Sequence, residues 1–215
     1  MTALVRYQAA LLLRSQRWLV PVLFYAAVLA AGSNGHEPLA DSLAWSAAMA
    51  IPAVAWLTRT CLTNDAAGVR ACLAAAGGAR RAQLSALVVA LAGGVVMVLA
   101  GSGFEVLVSA APSGSPGRGV VTAAGILAGL TCAVVGTAIG ALGSPPLVRR
   151  PGAAALATLA LVVLALASSA SPALAAIHRA APAEGSHPPA LPAAASIVVA
   201  AAAWYASVLA AAQRS

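Results

Sequence analysis

The chain has 215 residues, 61% hydrophobic, 8% charged and 4% aromatic, with a formal net charge of +7 and a mean hydropathy of +0.93. A soluble domain carries about 25% charged residues, so neither a water-soluble globule nor a disordered chain fits. The long apolar runs lack period-2 alternation, which excludes a transmembrane barrel. They point to an all-α, polytopic integral membrane protein, a single transmembrane domain over residues 1–215.

In chain order, residues 3–17 read ALVRYQAALLLRSQR. Arg6, Arg14 and Arg17 fall near one helical face, and Leu4, Val5, Leu11 and Leu12 largely elsewhere. Two readings stand open: an amphipathic helix lying in the membrane interface, or a cytoplasmic extension of the first span. That span, residues 18–32, is short against the ~20 residues a crossing needs, so it borrows length from the preceding segment while the arginines snorkel. A signal peptide is the competing reading of arginines followed by an apolar run.

The second span covers residues 42–62, with Trp45 and Trp56 towards its two ends and Pro52 near the middle. Pro52 removes a backbone hydrogen bond and is a candidate hinge. The remaining spans are 82–102, 119–143, 152–171 and 192–212, which makes about six membrane helices in all. Between the fifth and sixth, the first half of Ser171–Leu191 suits a short interfacial helix and the second half is proline-rich and irregular.

All twelve basic residues are arginine. Without lysine the chain cannot itself be a P-loop ATPase, nor run Schiff-base or pyridoxal-phosphate chemistry. The arginines lie in short loops between apolar runs, which is a topological signal and not a nucleic-acid surface. With an inside N-terminus, Arg6, Arg14, Arg17, Arg59, Arg70, Arg80, Arg81, Arg149, Arg150 and Arg214 fall inside, and only Arg118 and Arg179 outside. The positive-inside rule then sets both termini in the cytoplasm of a multi-pass protein of the cell (plasma) membrane.

Catalytic and metal-binding patterns are missing from the sequence. His36, His178 and His187 are scattered over outer loops, and Cys61, Cys72 and Cys132 form no CxxC pair. The expectation is no enzyme, no cofactor and no metal. Glu105, three residues past the third span, reads as an interfacial carboxylate facing water.

Two features rise above this background. Gly125, Gly129, Gly136, Gly140 and Gly143 share one stripe of the fourth span and include two GxxxG pairs. Small residues let helix backbones approach closely where lipid supplies no hydrophobic drive. Whether the neighbour belongs to the same chain or to a second protomer stays open. The other feature is the cytoplasmic loop 59–82. Thr63, Asn64 and Asp65 suit a helix start and Gly77-Gly78 a helix stop. Between them Val69, Cys72, Leu73 and Ala76 form one apolar stripe, with Arg70 beside it.

In its N-terminal ALVRYQAALLLRSQRW segment, its inner-loop GVRACLAAAGGARRAQLSALV segment and its irregular Ser171–Leu191 segment, the chain resembles the permease subunits of ABC-2-type transporters, in their short actinobacterial form. The resemblance implies a permease subunit of an exporter whose cargo is unidentified, working by alternating access. It also implies two partners besides the bilayer: a separate ATP-binding subunit and a second permease protomer, of the same or a different chain. A coupling helix at about Ala66–Ala76 would dock on that ATPase, with Val69, Arg70, Cys72, Leu73 and Ala76 as contact residues. The alternative is a non-transporting scaffold, immunity factor or regulator that binds a partner through the same loop.

Overall fold

The apolar runs fold as helices. A computed structural model of the chain describes residues 2–33, 37–64, 78–109, 117–144, 147–148, 150–168, 171–180 and 190–212. In chain order these form α1 (Thr2–Ser15), α2 (Leu19–Gly32), α3 (Leu39–Thr63), α4 (Ala79–Val108), α5 (Arg118–Leu142), α6 (Pro151–Ala167), α7 (Pro172–Ala180) and α8 (Ala190–Ala212). No β-strand occurs among the described residues.

Among them, α3, α4, α5 and α8 are long and apolar enough to cross a membrane. A fifth crossing is added if α6 and α7, which meet at a bend of 41°, form one span. This is the architecture of a membrane-embedded helical bundle. The 14 residues of α2 make a helix about 21 Å long, short of the ~30 Å hydrocarbon core.

The first two helices are separate. The backbone of Gln16 turns left-handed, with φ 54°, a conformation that costs a non-glycine residue about 1–2 kcal/mol. The turn closes with Leu19 N donating to Gln16 O at 3.1 Å and Trp18 Nε1 donating to Leu13 O at 3.4 Å.

At the centre lies α3, whose contacts with α5 and then α4 are the most extensive in the bundle. Ala50, Ile51, Ala53, Val54 and Ala55 are all 0% exposed, so this stretch is covered on all but the face that carries Trp45, Pro52 and Trp56. Its small side chains allow the close approach. Three buried threonine hydroxyls are satisfied inside their own helices: Thr58 donates to Val54 O at 2.8 Å, Thr131 to Leu127 O at 2.8 Å and Thr137 to Ala133 O at 2.7 Å. Away from water this intrahelical bond is the least costly way to bury a hydroxyl.

The glycine stripe of α5 faces helices of its own chain. A Cβ on Gly125 would stand 2.7 Å from Leu43, one on Gly136 2.8 Å from the Ile51 carbonyl oxygen, and one on Gly140 2.6 Å from the Ala55 carbonyl oxygen, all on α3. At Gly129 the neighbour is Val98 of α4, 2.7 Å away. Pro52 lies inside α3, where its missing N–H leaves the Ala48 carbonyl without the usual i+4 partner.

The helix of the third expected span is longer than the apolar run suggested. It begins at Ala79 and ends at Val108, so Arg80 and Arg81 lie in its first turn and Glu105 in its last.

Candidate functional site

Three features of the bundle have the makings of function. The first is the root of the loop that joins α3 to α4. The partner-contact residues read from sequence, Val69, Arg70, Cys72, Leu73 and Ala76, lie outside the described residues. Their frame is described on both sides. Asn64, just past the end of α3, donates from Nδ2 to Ser15 Oγ, the last residue of α1, at 3.3 Å. Ser15 Oγ in turn donates to Leu12 O at 2.9 Å. Gly78, with φ +85°, precedes α4 in a conformation that favours glycine. It accepts from Arg81 N at 3.1 Å and Ala82 N at 3.2 Å. The end of α1, the exit of α3 and the entry of α4 thus converge where the loop leaves the bundle, and Arg14, Arg80 and Arg81 are exposed around it.

At the opposite end sits a buried polar cluster. Glu105 is 0% exposed, which corrects the expectation of a water-facing carboxylate. Ser33, at the end of α2, places its Oγ 2.9 and 3.0 Å from the two carboxylate oxygens and 2.8 Å from the Leu29 carbonyl oxygen. One turn below, the Tyr25 hydroxyl lies 2.8 Å from Ser46 Oγ and 3.3 Å from Ser46 O, over Gly101. A Cβ on Gly101 would stand 2.5 Å from that hydroxyl. Arg118 Nη2 donates to the Val106 carbonyl, tying the start of α5 to the end of α4. Sequence reading missed Glu105 because it took the charge as the end of the span. The signal against that reading is the apolar run that resumes after it, Val106-Leu107-Val108.

The third feature is a cleft of about 540 Å³ between α1, α2 and α4. Gly93, Val96, Met97, Ala100, Gly101 and Phe104 line one wall. They recur at intervals of three and four residues, so they form one face of α4. Val22, Tyr25, Ala26, Leu29 and Ala30 form the facing wall on α2 by the same rule, and Leu12, Leu13 and Trp18 close one end. Leu57 of α3 reaches the cleft past Gly93, where a Cβ would stand 2.8 Å from its Cδ2.

No family model, curated protein or solved structure matches this chain.

Its function is therefore argued from the bundle itself. Among the described residues no group of three or more His, Cys, Asp or Glu side chains is placed to hold a metal ion. Cys61 and Cys132 are free thiols, both buried. Trp45 and Trp56 of α3, eleven residues apart, are both partly exposed and hold α2. Trp45 Nε1 donates to Val28 O at 3.4 Å, and the Trp56 ring lies 6.1 Å from Phe24. What the arrangement offers is a packed α3–α4–α5 centre, a polar latch at one end, and an apolar cleft flanked by the helix nearest the α3–α4 loop.

Proposed function

We propose that the chain is the membrane-spanning permease subunit of an ABC-2-type exporter of unidentified cargo, driven by a separate ATPase subunit and paired with a second permease protomer. In this reading it crosses the plasma membrane six times, with α1 at the cytoplasmic interface and both termini in the cytoplasm. It carries no chemistry of its own.

The observation that supports it most is the convergence of α1, α3 and α4 at the root of the inner loop, joined by the Asn64–Ser15 hydrogen bond. A loop helix seated on a moving ATPase pulls at that point on three helices together. Since α3 is packed along most of its length, displacement is passed into the bundle instead of being lost in a slack linker. ATP-driven closure of the ATPase pair would then rock two such bundles and change the side on which the cargo is exposed.

The test is co-purification of an ATP-binding subunit from membranes of the native host, comparing wild type with Leu73→Asp. An apolar helix in a groove does not tolerate a buried unpaired charge, which costs several kcal/mol, enough to release a micromolar partner. The expected outcome is normal insertion and melting temperature with loss of ATPase capture and ATP-dependent transport. Undiminished capture by the folded variant would defeat the coupling assignment.

A further inference from the structure

We propose that the cleft between α1, α2 and α4 is a binding site for one anionic phospholipid, with an acyl chain lying along the cleft and the phosphate held by Arg14 and Arg17. The inference goes beyond the permease reading and does not depend on it; it needs only that the bundle is embedded in a membrane.

Shape is the first argument. From Gly93 to Phe104 the α4 wall runs eleven residues, about 17 Å of helix. That makes a long slot and not a round pocket. Its volume of about 540 Å³ lies within the ~300–1,000 Å³ typical of ligand sites. The slot is built by what is absent. Ala100 on one wall, and Ala26 and Ala30 on the other, carry only a methyl group, while Leu57 and Tyr25 occupy the places beside Gly93 and Gly101. Larger lining residues stand exposed: Leu13 63%, Val96 66% and Phe104 39%. A chain of methylenes fits a narrow apolar slot with no polar side group to satisfy.

Charge gives the occupant its direction and its class. Arg14 and Arg17 are both exposed, and they are the chain neighbours of the lining residues Leu13 and Trp18. No acidic residue occurs in α1 or α2. The described carboxylates Glu37, Asp41 and Glu105 belong instead to the segments at the other end of α2 and α4. Arg118 also reaches that other end, at the Val106 carbonyl, but there it stands among these carboxylates; the Arg14–Arg17 end is basic with no acidic residue beside it in α1 or α2, which suits a ligand with one negative head and one apolar tail. Trp18 stands between the basic end and the apolar walls, where an indole prefers to sit at head-group depth. A net-neutral head group gains less there, because its cationic part is repelled by the same arginines.

The experiment uses the full chain in bilayers, with Trp18 kept as the one tryptophan by Trp45→Phe, Trp56→Phe and Trp204→Phe. Its fluorescence is quenched by phosphatidylglycerol or phosphatidylcholine brominated on the acyl chain. Phosphatidylglycerol should associate more tightly by about fivefold for each arginine, the equivalent of about 1 kcal/mol per basic side chain beside an anionic head. Arg14→Gln with Arg17→Gln should make the two lipids equal while both still quench. Ala26→Leu with Ala100→Leu should fill the slot and weaken quenching by both. Native mass spectrometry of the unmodified chain provides a second measure that needs no tryptophan replacement: phosphatidylglycerol should be retained after detergent washing and phosphatidylcholine lost. Equal quenching and equal retention of the two lipids would overturn the proposal. So would a Trp18 shielded from both lipids, the result expected if a second copy of the chain covers the cleft.

Discussion

Replacing Gly140 by alanine adds one methyl group at the closest point of the α3–α5 contact. The new Cβ would stand 2.6 Å from the Ala55 carbonyl oxygen and 2.6 Å from Thr58 Cβ. Ordinary contact begins near 3.4 Å, so the helices must part by about 0.8 Å, and a radial gap of roughly 0.5–1 Å forfeits a quarter to a half of each neighbouring dispersion contact. Neither obstacle can swing aside, since one is backbone and the other lies on a residue with 0% exposure. Overpacking of this kind costs about 1–3 kcal/mol. The higher helix propensity of alanine returns about 1 kcal/mol, leaving a net loss of about 0–2 kcal/mol, and about 1–3 kcal/mol relative to an unhindered Gly→Ala change in the same helix. Gly119→Ala, in the same helix but with nothing within 4 Å of its Cβ position, should be neutral or slightly stabilising. Unfolding in mixed micelles of increasing SDS fraction, followed by tryptophan fluorescence, measures both. If Gly140→Ala and Gly136→Ala prove as stable as Gly119→Ala, the glycine stripe is not where the bundle is tightest and the packing argument fails.

The polar contacts give three further tests. Gly101→Ala should destabilise the wild type, whose Tyr25 hydroxyl would stand 2.5 Å from the new methyl, and be better tolerated in Tyr25→Phe, where that hydroxyl is gone; equal costs in both backgrounds, by the same SDS titration, would contradict the geometry. Ser33→Ala takes a hydroxyl from buried Glu105 and should cost about 1–3 kcal/mol, but less in a Glu105→Leu background, so a double-mutant cycle should show coupling. In a chain freed of its native cysteines, Gly117→Cys should react with an impermeant thiol reagent from outside the cell and Gly152→Cys only after the membrane is opened; labelling of both from one side would refute the sidedness read from arginine placement.

Much of the helical layout could be read from the sequence, because apolar length is a local property. Each of the six runs overlies a helix, and α5, at Arg118–Leu142, falls within one residue of its expected span. The largest drift is at α4, Ala79–Val108 against the expected 82–102, where Arg80, Arg81 and Glu105 were left outside the span. Glu105 is carried inside α4 by the contact with Ser33, a residue 72 positions earlier in the chain, and no window of sequence contains both. The break between α1 and α2 carries no glycine, asparagine or proline at the turning residue. Gln16 adopts its left-handed backbone while Trp18 bonds back to Leu13, an arrangement invisible to rules that look for permissive residues.

The glycine stripe was legible as a close-packing face but not as a particular contact, for a related reason. Spacing fixes which residues share a face; it does not say which helix lies opposite. That choice was made by α3, whose alanines at positions 50, 53 and 55 are all 0% exposed and leave room for another backbone to approach. The cleft depends even more on pairing. Its two walls are ordinary apolar stripes on α2 and α4, each of which on its own reads as a lipid-facing surface. They become a slot only because Leu57 and Tyr25 fill the places beside Gly93 and Gly101, while α1 turns at Gln16 to bring Leu12 and Leu13 to one end. A larger side chain at Gly93 or Gly101 would meet Leu57 or Tyr25 and force the walls apart. Those two glycines, unremarked in the sequence because they do not belong to a GxxxG pair, set the width of the cleft.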